Sequence, residues 1–192
     1  MRLFVLARHG ESVRNVERRV NGDPSVDVPL TPTGEAEARM LGHQVAGLPV
    51  DLCVHSRFPR ARRTAELALE GRGVRFVEEP LLDDIDVGEL EGATLDEYRA
   101  WKAGRARSDR FPGGESLDDA AARYAVAFRG LLAVEARVVL VVCHEIPVRY
   151  AVNAAAGSDD LDGPEHGIPN ATAFLFDGAA LERAADGIER LL

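Results

Sequence analysis

The run Val138-Val139-Leu140-Val141-Val142 contains no polar position. A strand of that length without alternation must be covered on both faces, so it belongs in the interior of a sheet. Leu3-Phe4-Val5-Leu6-Ala7 makes the same demand near the N-terminus, and Leu52-Cys53-Val54 is a shorter run of the same kind. Helical patterns separate them. Thr31-Pro32 reads as an N-cap followed by a first-turn proline, and Ala38, Leu41, Val45 and Leu48 then recur at helical spacing. Helices are also expected over 57–69, 95–104 and 145–156. Another follows Ser116 and Asp119, with Leu117, Ala121, Tyr124, Phe128 and Leu131 on its apolar face. Val74 to Val77 is expected as a short strand, and residues 172–181 as a hairpin turning at Asp177-Gly178. Strands alternating with helices imply an α/β sandwich with a mainly parallel sheet.

The ends of the apolar runs carry the chemistry. The first stops at Arg8-His9-Gly10 and the most hydrophobic one at Cys143-His144-Glu145; Arg60 lies shortly after the third. Open α/β sheets place ligands at the carboxyl ends of their strands. Two imidazoles and two guanidiniums delivered to one rim suit a tetrahedral dianion. The chain has five histidines, so the pairing alone is weak evidence.

The wider pattern resembles the histidine phosphatase superfamily, which includes cofactor-dependent phosphoglycerate mutases and many phosphatases. Arg8-His9-Gly10-Glu11-Ser12 is similar to its first signature, with Asn15, Arg19 and Gly22 at its next landmarks. Asp27-Val28-Pro29-Leu30-Thr31, Ser56 to Ala65, Gly88 to Gly92, Pro112 to Ser116 and Pro169-Asn170-Ala171 follow in the family's order. The resemblance runs from Leu3 to about Phe176. It implies a phosphoglycerate mutase-like fold, a three-layer α/β/α sandwich. The length fits a single domain, 1–192. Segments 84–115, without a strong pattern, and 157–170, rich in Gly, Asp and Pro, are candidate lids, and the resemblance places substrate-selecting insertions in the first.

The resemblance also implies roles. His9 is the nucleophile that forms a phosphohistidine. His144, read as protonated, stabilises the transferring group. Arg8, Arg60 and Asn15 bind phosphate, and Arg19, Gly22 and Glu11 are candidate substrate contacts. Arginine forks suit phosphoryl oxygens in a way lysine cannot copy. The scheme calls for no metal and no cofactor. The family usually takes its proton donor from a glutamate four residues before the glycine matching Gly88; here that position is Asp84. Aspartate is shorter and more acidic. Asp83, Asp86 and a more distant group stay open as alternatives, and mutual repulsion among the three aspartates can raise one pKa.

The implied activity is a metal-independent phosphomonoesterase acting on a small phosphorylated metabolite. Mutase-type transfer and a non-enzymatic phospholigand-binding protein are the alternatives. A net charge of −9 argues against nucleic-acid or anionic-membrane partners. The apolar runs are too short to span a bilayer, and Arg8 interrupts the first run too early for a secretory signal, so a cytoplasmic protein is expected. A homodimer is left open.

Lys102 is the only lysine among 23 basic residues, which lowers the information in any one arginine. Arg14, Arg18, Tyr98, Trp101, Arg105, His55 and His166 are weaker candidates, with packing or exposure as the plainer reading. Cys143 and Arg149 have the spacing of a cysteine-dependent phosphatase, but Pro147 between them has no N–H to offer a phosphate. Neither an aspartyl-phosphate site nor a zinc motif finds its required partners, a nearby lysine or a histidine four residues after His144.

Overall fold

The computed structural model describes residues 2–192. Five strands form one sheet: β1 (Leu3–Arg8), β2 (Leu52–His55), β3 (Arg75–Glu78), β4 (Val138–Cys143) and β5 (Phe174–Asp177). Their order is β3-β2-β4-β1-β5. β1, β2, β3 and β4 are mutually parallel; β5 joins β1 antiparallel. Seven α-helices accompany them: α1 (Val13–Glu17), α2 (Pro32–Gln44), α3 (Pro59–Ala68), α4 (Leu95–Lys102), α5 (Leu117–Ala133), α6 (Glu145–Ala155) and α7 (Gly178–Arg190).

The unbroken apolar runs are explained by two cores. Phe4, Leu6, Val139 and Val141 pack into one with α5, α6 and α7; Val5, Ala7, Leu140 and Val142 face the other with α2 and α3. Successive residues of each strand serve opposite faces, so no position can be polar. The result is the expected α/β/α sandwich.

The expected helix caps form. Thr31 Oγ1 accepts from Gly34 N, and Ser116 and Asp119 make a reciprocal capping box. The expected hairpin over 172–181 does not. β5 ends at Asp177, whose side chain accepts from Ala180 N and starts α7. Leu181, Ala184, Ala185 and Ile188 bury one helical face against the core. The Asp-Gly pair is a helix start here, and the apolar spacing after it is the signal that separates the two cases.

The register positions the candidate site. Arg8 on β1 lies beside Cys143 on β4, so His9 and His144 leave neighbouring strand ends. His9 N still donates to Cys143 O at 3.0 Å, and Ser56 N to Val142 O at 3.2 Å. Segment 157–170 contains no helix or strand, and α4 lies within 84–115. No helix among the described residues is long and apolar enough to cross a membrane.

Candidate active site

The two imidazoles converge. Their ring centroids are 5.3 Å apart, with planes at 66°. His9 is 3% exposed and His144 wholly buried. His9 Nδ1 lies 2.7 Å from Gly10 O, a contact that requires the proton on Nδ1. Nε2 is then an unprotonated lone pair, and Arg60 Nε donates to it at 3.0 Å. Burial holds the His9 pKa well below the ordinary imidazole value, with Arg60 and Arg8 adding to the effect.

The turn after β1 is tight. A Cβ on Gly10 would come within 2.3 Å of Gly34 O, so only glycine fits. Gly10 N donates to Thr64 Oγ1, and Asn170 Nδ2 donates to His9 O at 2.7 Å. The Pro169-Asn170-Ala171 segment thus buttresses the end of β1, and Ala171 N also donates to Arg8 O.

Arg60, on α3, is 3% exposed. Its guanidinium carbon stands 4.3 Å from the centroid of the Phe58 ring. Its nitrogens donate to Asn21 Oδ1, to Asn21 O at 3.2 Å, to Asp84 Oδ2 at 3.4 Å and to His144 Nδ1 at 3.3 Å. Burial lowers its pKa to about 10, which leaves it charged at neutrality. Arg8 Nη1 donates to Ile168 O and pairs with Glu145 Oε2, both at 2.9 Å. Its buried Nε has no partner among the described residues.

His144 departs from the expected protonated state. Arg60 can only donate, so Nδ1 accepts and Nε2–H donates to Ser56 Oγ at 2.8 Å. Burial, then Arg60, His9 and Arg8, lower its pKa well below the ordinary value. His144 is therefore neutral, a state that burial dictates and that the sequence does not display; it stands edge-on to His9 but is not itself on the cavity wall.

Of the three neighbouring aspartates, Asp84 alone lines this cavity. Asp83 is tied to Arg57 N and Nε, and Asp86 accepts from Gly88 N. Asp84 Oδ2 is 3.5 Å from His144 Nδ1. Burial raises the Asp84 pKa, with Arg60 opposing. Asn15 spends Oδ1 on Ser12 N and Oγ in a capping box, while its Nδ2 has no protein partner among the described residues. Gly22 and Arg19 line the cavity; Gly22 N donates to Glu91 Oε2, and Arg19 Nη1 to Gly92 O.

Glu11 corrects the sequence expectation. Its carboxylate accepts from Thr31 Oγ1 at 2.7 Å and is not on the cavity wall, because the capping of α2 draws it away. Trp101 stacks on Phe111, and His55 Nδ1 bonds to Ser56 O; neither lines the cavity, whereas Tyr98, Arg14 and His166 do. Arg18 pairs with Asp96, and Arg105 lies over Trp101. Cys143 is buried off the wall with its thiol pushed up to about 12, so it offers no thiolate there. Sequence reasoning missed Asn21, which clamps Arg60, together with Glu145 and Arg149. The Gly88-Glu89-Leu90-Glu91-Gly92 segment held a clue to the first: Glu91 Oε1 accepts from Asn21 Nδ2.

The cavity has a volume of about 570 Å³, within the range of small-molecule sites. Seven cationic side chains line it against Asp84 and Glu145, a positive pocket in an acidic protein. No group of three or more His, Cys, Asp or Glu side chains suited to a metal ion occurs among the described residues.

The chain matches the family model described as histidine phosphatase superfamily (branch 1) over residues 4–180. It is 38% identical to a 2,3-bisphosphoglycerate-dependent phosphoglycerate mutase 2 of Gloeobacter violaceus over 64% of this chain and 60% of that one. It spans 60–63% of the length of that protein and of two probable phosphoglycerate mutases it also matches. Among solved structures, Bacillus stearothermophilus YhfR superposes with a TM-score of 0.81 at 27% identity, covering 92% of this chain and 91% of that one. A mycobacterial glucosyl-3-phosphoglycerate phosphatase, solved in complex with VO3, gives 0.77 at 25% identity, covering 92% and 93%.

Proposed function

The chain belongs to the histidine phosphatase superfamily (branch 1), and we propose that within it this protein is a phosphomonoesterase that works through a phosphohistidine on His9. The observation that carries this reading is the state of His9. Its Nδ1–H is fixed by Gly10 O, and its Nε2 lone pair receives Arg60 Nε, with Arg8 on the same wall and His144 edge-on to the ring.

The substrate phosphoryl oxygens take over the donors of Arg60 and Arg8, including the unpartnered Arg8 Nε. Asn15 Nδ2 adds a neutral donor. Withdrawal of Arg60 Nε frees His9 Nε2, which attacks phosphorus as the bond to the leaving oxygen breaks. Asp84, whose proton affinity burial raises, gives its proton to that oxygen, and the alcohol departs. Water then attacks the phosphohistidine, Asp84 takes the water's proton, and inorganic phosphate leaves with His9 neutral again. Fixed cationic donors lower the barrier at the phosphoryl group in both steps. His144, whose Nε2–H is held by Ser56, supports the same oxygens only after the arriving dianion raises its proton affinity and Nδ1 gains a proton.

Mutase-type transfer is the second reading, favoured by the names of the sequence relatives. Incubation with 2- or 3-phosphoglycerate separates the two. Free phosphate is the expected product; isomerised phosphoglycerate without phosphate release overturns the hydrolase reading. A phosphate-release screen over metabolite esters, run with a chelator, tests activity and metal independence together.

A further inference from the structure

We infer that Arg123 and Glu115, neither of which lines the catalytic cavity, are positioning residues that set the reach of the Asp84 carboxyl by gripping the backbone on either side of it. The inference rests on the reading of Asp84 as the proton donor. It gives a role to the Pro112–Ser116 segment and to an arginine of α5, both unused by the phosphoryl chemistry.

An aspartate carboxyl sits on a single methylene, so it goes only where its backbone carries it. Here the link is tighter still. Ile85 N donates to Asp84 Oδ1 at 3.1 Å, which ties the carboxyl to its own chain and leaves Oδ2 facing Arg60 and His144. Placing the backbone therefore places the acid. Yet residues 83–87 form neither helix nor strand, so no regular ladder holds them.

Arg123 supplies the hold before Asp86. Its Nη1 donates to Leu81 O at 2.9 Å and Asp83 O at 3.0 Å, and its Nη2 to Asp84 O at 3.3 Å. The buried Tyr124 Oη adds a donor to Asp83 O at 3.0 Å. Glu115 supplies the hold at Asp86 itself: its N donates to Asp86 O and its Oε1 accepts from Asp86 N, both at 3.0 Å. The two grips are joined, because Arg123 Nη2 also donates to Glu115 Oε1 at 2.5 Å and Arg123 Nε to Oε2 at 3.3 Å. The five N–H donors of the guanidinium thus meet five acceptors around this loop, an arrangement a lysine cannot copy. Two glycines permit the close approach. A Cβ on Gly114 would overlap Asp86 O, and one on Gly88, at φ 52°, would overlap Pro112 O. Arg123 is neutralised by Glu115, and the charges that act on the Asp84 carboxyl are Arg60, Arg8 and Glu145. Arg123 therefore works through the chain and not through its field.

The test compares an alkyl phosphate with a nitrophenyl phosphate in full-length variants. Arg123→Lys keeps the charge and loses the fork. An Arg123→Met, Glu115→Gln double variant removes both charges together, so neither is left unpaired. Tyr124→Phe deletes one hydroxyl and carries the test where the arginine variants fail to fold. With the alkyl ester, kcat should fall about tenfold in the first two and about twofold to threefold in Tyr124→Phe, with KM unchanged. The nitrophenyl ester, whose leaving group needs no proton, should lose less than about twofold. In an Asp84→Asn background, Arg123→Lys should slow the alkyl ester no further, since the group it positions is gone. Equal losses with both esters, no loss in variants that circular dichroism shows folded, or a further loss in the Asp84→Asn background overturns the proposal. Asp84→Asn alone separates the two levels. If it slows only the alkyl ester while the loop variants are unselective, the positioning role falls and Asp84 stays the acid. If it slows both esters equally, Asp84 is not the acid and the positioning role falls with it.

Discussion

The inner and outer parts of the cavity are built on different principles. Inside, His9 and Arg60 line the wall with His144 in contact with both; all three are at most 3% exposed and stand on strand ends or on the helix that directly follows one. Outside, the cationic side chains come from α1, α4, α6 and their loops, and many are wet: Arg14 is 31% and Arg99 66% exposed. Inside, burial and neighbouring charge decide which atom carries a proton. Outside, solvent screens each pair and leaves it little individual worth. The inner part is suited to fixed chemistry and the outer to selecting what is attached to the phosphoryl group.

That division predicts a steep gradient of mutational effect. The largest belongs to His9→Ala, which should reduce ester turnover by on the order of 10⁴-fold or more, because the other imidazole on the wall, His166, is exposed and is not held by Arg60. Unchanged turnover in this variant would place the chemistry elsewhere. Arg60→Lys keeps the charge but loses the fork that spans Asn21, Asp84 and both histidines. Its kcat should fall by roughly 10²–10³-fold with the fold intact by circular dichroism; a loss expressed only in KM would reduce Arg60 to a binding group.

Asp84→Asn comes next, and its effect depends on the ester. Alkyl phosphates should slow by about 10²-fold, while a nitrophenyl ester, whose leaving group needs no proton, should barely change. Equal losses would remove Asp84 as the acid. Its pH profile has a defined sign. His9 must be deprotonated, and its lowered pKa carries the rising limb toward acid. Asp84 must be protonated, and its raised pKa carries the falling limb upward from the ordinary carboxylate range. Activity toward alkyl phosphates should therefore peak on the acid side of neutrality, and Asp84→Asn should abolish the falling limb; a falling limb that persists assigns it to another group.

The smallest effect belongs to Glu145→Gln at the boundary of the two regions. Releasing Arg8 and Arg149 from their shared carboxylate should change KM by less than about tenfold and leave kcat nearly intact, since both partners are partly solvated. A collapse of kcat would show that the inner part depends on the outer one for its geometry.

The same division governs what could be read from the chain. Strand positions were legible because Leu3 to Ala7 and Val138 to Val142 must be covered on both faces, and each run points to the residue that follows it. The inner part was therefore visible as His9, His144, Arg8 and Arg60. Its protonation was not: burial makes His144 neutral, and no local pattern reports burial. Asn21, Arg149 and His166 come from segments that meet only in three dimensions. Glu11 was misassigned because its competitor, Thr31, lies 20 residues away. The stretch after Asp177 has the composition of a turn at its start, and only the continuing periodicity of Leu181, Ala184, Ala185 and Ile188 identifies a helix.

The central claim is that phosphate passes through His9. Rapid quenching of the enzyme during ester turnover, under alkaline conditions that preserve phosphohistidine, followed by peptide mass spectrometry, tests it directly. The account predicts one added phosphoryl group, lost in acid, on the peptide that contains His9. Sustained hydrolysis with that peptide unmodified, or with the phosphoryl group on another residue, would contradict it.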